Sequence, residues 1–246
     1  MANLDLPFRL FADREEPVGD RVLRYFKLNT IKVVIKALQP SELEIIRPYF
    51  GKLLDVYSKP VFSSKLAHFL LTRQLNVVKR HEIWIVFAGK PVRFSLREFG
   101  LVTGLNCNPI RRWDRVLVKV PPGVTPYWYT LFGGEECVTG EMLLNKLRKP
   151  KSLNSELRVK YACLLLVDGL LCRRSFYMKV SREHVEMIRN LDVFLKYPWG
   201  RYCFDMTMQC IKSRSPIQLA QATVAIQSFI HALVLVVVEA VPAVLS

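Results

Sequence analysis

The chain lacks the marks of a secreted or a zinc-binding protein. Its N-terminus reads Met-Ala-Asn-Leu-Asp-Leu-Pro-Phe-Arg and has no apolar stretch typical of a signal peptide. No two of its six cysteines stand in a Cys-x-x-Cys spacing, and only four histidines are present. We therefore expect free thiols, no zinc site and an intracellular rather than secreted protein, with the nucleus as a candidate compartment.

Known catalytic and nucleotide-binding motifs are also missing. The sequence contains no Gly-x-x-x-x-Gly-Lys-Ser/Thr, no Gly-x-Gly-x-x-Gly after a strand, no His-Glu-x-x-His and no Gly-x-Ser-x-Gly. No histidine has an acidic partner at the spacing of a known motif. We therefore predict no catalytic residue, no metal ligand, no cofactor and no small-molecule substrate. A triad assembled in space from distant residues stays open as an alternative.

No uninterrupted apolar run is long enough for a typical transmembrane helix. The 24 residues between Arg214 and Glu239 carry no acidic or basic side chain, but polar residues interrupt all except Ala232 to Val238. A spanning helix needs about 20 apolar residues. We expect an amphipathic helix that leads into a buried turn, and no membrane partner. A membrane anchor formed by this C-terminal stretch is kept as an alternative.

The residues that are present describe a globular, basic chain. Its length of 246 residues is sufficient for one large domain, and 51% of the residues are hydrophobic, which excludes a disordered chain. Lysine and arginine number 36 against 21 aspartate and glutamate residues, which makes the net charge +15. This excess favours anionic partners through long-range attraction. Protein and nucleic acid are both kept as candidate partners.

Helical periodicity dominates the sequence. Apolar residues recur at steps of three and four in at least six segments, whereas only one segment has the pattern of a hairpin. The sequence predicts a mainly α fold, a single-domain helical bundle with one small β-hairpin. We expect a loosely ordered lead-in over residues 1–28 and one helical domain over residues 29–246.

The most consistent local pattern lies between residues 82 and 104. Residues 82–94 contain two runs of β-forming residues separated by Gly89, which predicts a β-hairpin. Ser95 and Glu98 have the spacing of a capping box that begins a helix. Gly104 stands where a helix-ending glycine with positive φ is expected.

Asp168 is a candidate for a buried ion pair. Steps of four, three and four residues from Leu157 lead to Asp168, which places this carboxylate on the apolar stripe of a central helix. A buried charge has to be paired or neutralised. We predict a structural ion pair with Arg97 or Arg201, because an arginine offers two parallel N–H groups to one carboxylate.

Several basic residues are candidate phosphate contacts. Four of them form a small basic turn: Lys146, Arg148, Lys149 and Lys151. Arg93 stands at the joint between the hairpin and the next helix. Aromatic residues beside basic ones, as in 112–113 and 127–129, would support stacking on bases. A nucleic-acid-binding module is therefore one alternative, beside the simpler interpretation of solvated cations and packed aromatic rings.

Six segments of the sequence resemble one plant protein family. They are Phe50–Leu54, Lys65–Arg73, Phe94–Cys107, Leu166–Gly169, Tyr197–Arg201 and Glu239–Pro242. On these segments the chain resembles the family called domain of unknown function nineteen eighty-five, over nearly its whole length. The segment 94–107 is the most specific part of the resemblance. The hairpin and the Phe-Ser-Leu-Arg-Glu-Phe that follows it also weakly resemble the plant mobile domain of transposon-derived proteins.

The resemblance implies a context rather than an activity. Domains of this family commonly precede a SUMO-protease-like cysteine peptidase domain in plant proteins related to Mutator-like transposons. The cysteine of that peptidase usually lies within Asp-Cys-Gly, which this chain lacks, so we do not expect the peptidase here. The resemblance implies a non-catalytic binding or interaction domain derived from a plant mobile element, with its ligand unnamed. An unrecognised enzyme is a further alternative.

Overall fold

The structure, a computed structural model, describes residues 6–58, 62–111, 120 and 123–241. Within these residues there are twelve α-helices and four β-strands, so the predicted mainly α class is confirmed. The helices are α1 (Asn29–Ala37), α2 (Pro40–Asp55), α3 (Ser64–Thr72), α4 (Leu96–Thr103), α5 (Tyr127–Phe132), α6 (Gly140–Leu147), α7 (Ser155–Leu166), α8 (Arg182–Met187), α9 (Leu191–Lys196), α10 (Trp199–Lys212), α11 (Pro216–Leu219) and α12 (His231–Ala240). The strands are β1 (Arg21–Arg24), β2 (Glu82–Phe87), β3 (Lys90–Ser95) and β4 (Thr223–Ile226).

The chain divides into two units that each combine segments distant in sequence. Unit 1 consists of Met1–Arg24, Val61–Val102 and Phe204–Ser246, and unit 2 consists of Tyr25–Pro60 and Thr103–Cys203. Residues 1–24 of the predicted lead-in fall in unit 1, and residues 25–28 fall in unit 2. The single helical domain over residues 29–246 stays a prediction.

A parallel strand pair in unit 1 was not expected from the sequence. Strand β1 pairs with β4, from Arg21 opposite Thr223 to Arg24 opposite Ile226, and α3 packs beside β1. The prediction of loose order was therefore wrong for residues 21–24. Their partner strand lies far away in the sequence, so no local pattern could indicate the pairing.

The β-hairpin is confirmed, with a two-residue turn. Strands β2 and β3 pair from Glu82 opposite Ser95 to Phe87 opposite Lys90. The turn residues Ala88 and Gly89 have φ of +49° and +72°, the left-handed conformation that a type I′ hairpin turn requires. This turn matches the right-handed twist of the two strands and so sets their register.

The predicted cap by Ser95 is also present, although its side chain accepts from the N–H of Arg97 instead of that of Glu98. The Ser95 N–H donates to Glu98 Oε2 at 3.0 Å, and the Arg97 N–H donates to Ser95 Oγ at 3.2 Å. These two bonds satisfy backbone groups that the start of α4 would otherwise leave unpaired. Gly104 follows α4 with φ of +69°, as predicted.

The C-terminal apolar stretch forms several short elements instead of one amphipathic helix. It contains α11, β4 and α12, and every residue from His231 to Val238 is buried. Helix α12 contacts α3 and β3 inside unit 1. Among the described residues, no helix combines the length and the hydrophobicity that crossing a membrane would need. The apolar run is accounted for by packing within unit 1.

Unit 2 is arranged around α7. Helices α1, α2 and α6 contact α7, whose residues from Val159 to Leu166 are all buried. The helix continues into a π-helical turn, Val167–Leu171. Helix α6 packs closely against this turn: a Cβ atom added to Gly140 would lie only 3.3 Å from the Gly169 Cα atom. The paired glycines therefore set the spacing between the start of α6 and the end of α7.

Two of the resembling segments meet in unit 2. The Gly200 N–H donates to the Asn106 carbonyl oxygen at 2.9 Å, and the Asn106 side-chain amide donates to the Lys196 carbonyl oxygen at 2.9 Å. A Cβ atom on Gly200 would lie 2.6 Å from Cys107 Sγ. The close approach of the two segments thus requires a glycine at this position.

Gly104 and Gly89 offer a matched test of a steric contact. Both have positive φ, where a side chain costs about 1–2 kcal/mol. A Cβ atom on Gly104 would also lie 2.8 Å from Lys52 Cβ, whereas no described atom lies within 4 Å of one on Gly89. In urea unfolding, we expect Gly104→Ala to lower the free energy of unfolding more than Gly89→Ala does. Equal losses would contradict the Lys52 contact.

Candidate functional site

The predicted basic turn is a surface feature of unit 2. It joins the end of α6 to a single 3₁₀ turn, Pro150–Ser152, just before α7. Its four cationic side chains are exposed: Lys146, Arg148, Lys149 and Lys151. None of the four forms an ion pair with a carboxylate of the described residues; Arg148 donates to Asn145 Oδ1 at 2.9 Å. The turn therefore presents four cations to solvent.

A buried ion pair holds the backbone of this turn. Arg158, on the first turns of α7, donates from Nε to both carboxylate oxygens of Glu42 at 3.1 Å. The same guanidinium donates from Nη1 to the carbonyl oxygen of Leu153 at 2.6 Å and to that of Pro150 at 3.4 Å. Both side chains of the pair are largely buried. The Arg158 guanidinium thus fixes the backbone of the turn, and it cannot move away without breaking its ion pair with Glu42.

The Glu42 carboxylate stays ionised over the physiological pH range. Burial by itself would raise the pKa of Glu42, but hydrogen bonds from Arg158, Ser155 and the Gln39 N–H, with the charge of Arg158, lower that pKa to about 2. The Gln39 N–H also belongs to the capping box that begins α2. One carboxylate therefore connects the start of α2 with α7 and the basic turn.

Most of the excess positive charge belongs to unit 2. Its segments contain 23 lysines and arginines against 12 aspartates and glutamates, a net +11, whereas unit 1 has 13 against 9, a net +4. The fifth predicted phosphate contact, Arg93, lies in unit 1. Its Nη2 donates to Glu98 Oε1 at 2.8 Å, and this bond raises the pKa of Arg93. Arg93 is thus held by an internal carboxylate.

Unit 1 contains an open groove of about 530 Å³ between β3, α4 and the end of α12. Trp84 and Leu101 are among its apolar walls. Its charged residues are of both signs, with Lys90 and Arg93 against Glu98 and Glu239. This balance gives the groove no preference for an anionic ligand, in contrast to the basic turn.

Asp168 is buried as expected, but its partner is a histidine. Asp168 is 4% exposed, His184 Nδ1 lies 2.6 Å from its Oδ1, and the Ser181 N–H donates to its Oδ2 at 3.0 Å. The prediction of Arg97 or Arg201 as partner is therefore wrong. Ser181 caps α8, and His184 lies in the same short helix. Asp168 of the π-helical turn therefore bonds to a backbone N–H and to a side chain at the start of α8.

Neither arginine forms a hydrogen bond or ion pair with Asp168 in the part of the chain that the structure describes. The Arg97 side chain is exposed. The Arg201 Nε atom is buried and has no hydrogen-bond partner among the described residues. A buried carboxylate that accepts a backbone N–H and an imidazole already has both oxygens satisfied.

The surroundings of His184 indicate a structural pair rather than a reactive centre. The imidazole packs edge-on against Trp199 and Tyr202, with ring centroids 4.9 and 5.9 Å away. Burial raises the pKa of the Cys172 thiol well above its usual range, so this cysteine remains a poor nucleophile. Over the described ranges, no group of three or more histidine, cysteine, aspartate or glutamate side chains is arranged to hold a metal ion.

Sequence reasoning missed an exposed loop that follows the π-helical turn. Residues 173–179 read Arg-Arg-Ser-Phe-Tyr-Met-Lys. Basic residues stand beside aromatic ones in this segment, and this pattern could have identified the loop as a candidate stacking site. Phe176 is 45% exposed and Tyr177 is 90% exposed. Of the segments named for such stacking, 112–113 lies outside the described residues. In 127–129, Trp128 is only 3% exposed and donates from Nε1 to the Glu135 carbonyl oxygen at 2.6 Å, whereas Tyr129 is 53% exposed.

Comparison with known proteins gives one match. The profile of a family described as Domain of unknown function (DUF1985) matches residues 71–210, which is more than half of the chain. No curated protein and no solved structure matches the chain.

The Asp168 pair is tested by comparison with an exposed ion pair. Asp168→Ala leaves the Ser181 N–H and the His184 imidazole without their acceptor. We expect the free energy of unfolding to fall by about 3 kcal/mol in urea titrations. Asp168→Asn keeps one acceptor oxygen and should lose less. Asp192→Ala breaks the exposed pair with Lys196 and should lose less than about 1 kcal/mol. A loss for Asp168→Ala as small as that would contradict its role.

The Glu42 carboxylate predicts a pH dependence of stability. Its pKa is about 2 in the folded protein and near the usual 4.5 in the unfolded chain, so its stabilisation is complete above pH 4.5 and is lost as the pH falls towards 2. The free energy of unfolding of the native chain should exceed that of Glu42→Gln most strongly near pH 7. Urea titrations between pH 7 and pH 3 should show the difference narrowing below pH 4.5. A difference independent of pH would contradict the assignment.

Proposed function

The chain belongs to the DUF1985 family, and we propose that it is a non-catalytic binding module whose partner is nucleic acid. The observation that carries the proposal is the basic turn, which presents four exposed cations on a backbone held by Arg158 and Glu42. Nucleic-acid phosphates are the partner class that such cations contact most generally.

The position of the turn favours a ligand over a purely structural role. Cations at the end of α6 can stabilise the negative end of that helix, which accounts for Lys146 and Arg148. Lys149 and Lys151 lie past that end and shortly before the N-terminus of α7, where the helix dipole disfavours positive charge. Helix stability therefore gives no reason for these two lysines, whereas an anionic partner does.

The charge of unit 2 supports the same partner. A net charge of +11 on that unit attracts a polyanion over distances of about a Debye length and raises the rate of encounter. The rigid turn then receives the phosphates at little further cost in conformational entropy.

No catalytic step is assigned to the chain. The close carboxylate–imidazole pair of Asp168 with His184 holds the start of α8. The plant mobile-element origin implied by the resemblance, and an intracellular or nuclear location, are part of the proposal. Both agree with a nucleic-acid partner.

Removing the four charges tests the proposed interface. The variant carries Lys146→Gln, Arg148→Gln, Lys149→Gln and Lys151→Gln, all at exposed positions. Fluorescence anisotropy with a labelled DNA duplex is measured at several salt concentrations. The slope of log K against log salt should become less steep by about 0.9 for each phosphate that the variant no longer neutralises.

The control is a variant that loses the same number of positive charges from unit 1. It carries four changes at exposed cations, Lys65→Gln, Arg80→Gln, Lys90→Gln and Arg97→Gln, and should keep nearly the native slope. Equal weakening in both variants would mean that net charge alone attracts DNA and that the basic turn is no interface. Absence of binding by the native chain to both DNA and RNA would overturn the proposed function.

A further inference from the structure

The loop 173–179 of unit 2 has a composition and an exposure that packing does not explain. Tyr177 is the most exposed aromatic residue among those described in unit 2, at 90%, and Phe176 beside it is 45% exposed. Single exposed aromatic rings are common on protein surfaces, but two adjacent rings leave a larger apolar area in contact with water. A binding partner that covers both rings would remove this area from water, which is favourable.

The loop is held in place from inside. Arg173 is buried, and its guanidinium donates to the carbonyl oxygens of Ser175 at 3.1 Å and Phe176 at 2.7 Å. At the other end, Lys179 forms a β-bridge with Thr139, and the Val180 N–H donates to the Val138 carbonyl oxygen at 2.8 Å. The aromatic pair therefore stands on a backbone fixed at both ends.

Cations flank the two rings. Arg174 and Lys179 are exposed, and neither forms an ion pair with a carboxylate of the described residues. The Arg174 guanidinium donates one hydrogen bond, to the Tyr202 hydroxyl at 3.4 Å. The Phe176 ring contacts Tyr25 edge-on, with centroids 5.1 Å apart, which orients it while leaving part of it open. An oriented aromatic face beside exposed cations is the arrangement that binds an unpaired base and its phosphate.

We propose that the loop 173–179 is a stacking site for unpaired bases, so that the preferred ligand is single-stranded nucleic acid. Tyr177, with Phe176 beside it, stacks on the bases, Arg174 and Lys179 contact the neighbouring phosphates, and Arg173 is a positioning residue. Every base has a π-face, so the site is tolerant of sequence, and a duplex hides those faces inside its stack. This inference rests on the proposed nucleic-acid function and narrows its ligand class.

The loop and the basic turn lie at opposite ends of α6. Lys179 bridges to the residue that caps the start of α6, and the basic turn follows its end. The eight residues of α6 span about 12 Å, the rise of about four stacked nucleotides. A single strand of about four nucleotides is therefore the shortest ligand that we expect to contact both the loop 173–179 and the basic turn.

The test compares a single strand with a duplex. Fluorescence anisotropy is measured for a labelled twelve-nucleotide single strand and for the corresponding duplex, with the native chain and with Tyr177→Ala. We expect Tyr177→Ala to weaken single-strand binding about 5- to 150-fold, the usual effect of removing one stacked ring, and to change duplex binding less than about twofold. Tyr177→Phe keeps the aromatic face and should bind the single strand like the native chain.

Phe8→Ala is the matched control, because Phe8 is an aromatic residue of unit 1 that is 92% exposed. This variant should bind both ligands like the native chain. If the native chain binds the duplex and the single strand alike and Tyr177→Ala changes neither, the stacking site is wrong and the proposed function stands. If the native chain binds neither ligand, the proposed function itself fails.

Exposed aromatic and basic residues also occur on loops that insert into membrane surfaces, so a vesicle arm is included. Co-sedimentation is measured with vesicles of phosphatidylserine and phosphatidylcholine. We expect Tyr177→Ala to leave vesicle binding unchanged. A loss of vesicle binding in that variant, with single-strand binding intact, would overturn the stacking site in favour of a lipid surface.

Discussion

A charge buried in a protein interior has to find hydrogen-bond partners, and the architecture of unit 2 depends on how three such charges find theirs. Arg158 near the start of α7, Asp168 in the π-helical turn and Arg173 just beyond it all lie beside an apolar helix. Their partners are backbone groups of the adjoining loops together with Glu42 and His184. Satisfying the charges therefore orders the loops at both ends of α7.

This coupling has a consequence for the surface of unit 2. The basic turn and the loop 173–179 would be free to move if only solvent surrounded them, and binding a ligand would then cost the entropy of ordering them. Because Arg158 and Arg173 hold their backbones, that cost is met on folding instead. The exposed side chains are thus presented on rigid supports, as a binding surface needs.

In unit 1 the interior is instead held together by apolar packing. Helix α12 is rich in leucine and valine and is buried from His231 to Val238 against α3 and β3 within its own unit. The rings of Phe94, Phe99 and Phe204 form a cluster with centroids 5.6 to 6.4 Å apart, in which Phe99 meets both other rings edge-on. The groove beside this core has charges of both signs, so the surface features that favour an anionic ligand lie in unit 2.

The features that the sequence by itself determined are those whose partners lie a few residues apart. The hairpin, the cap that Ser95 forms on α4 and the positive φ of Gly104 all follow from short-range sterics and hydrogen bonding, which a local pattern reveals. Only the tertiary structure decided the pairing of β1 with β4 and the choice of His184 for Asp168. It also decided the exposure of Tyr177. Periodicity places Asp168 on an inward stripe, but which side chain reaches it depends on where the chain returns, because hydrogen bonds act only over a few ångströms.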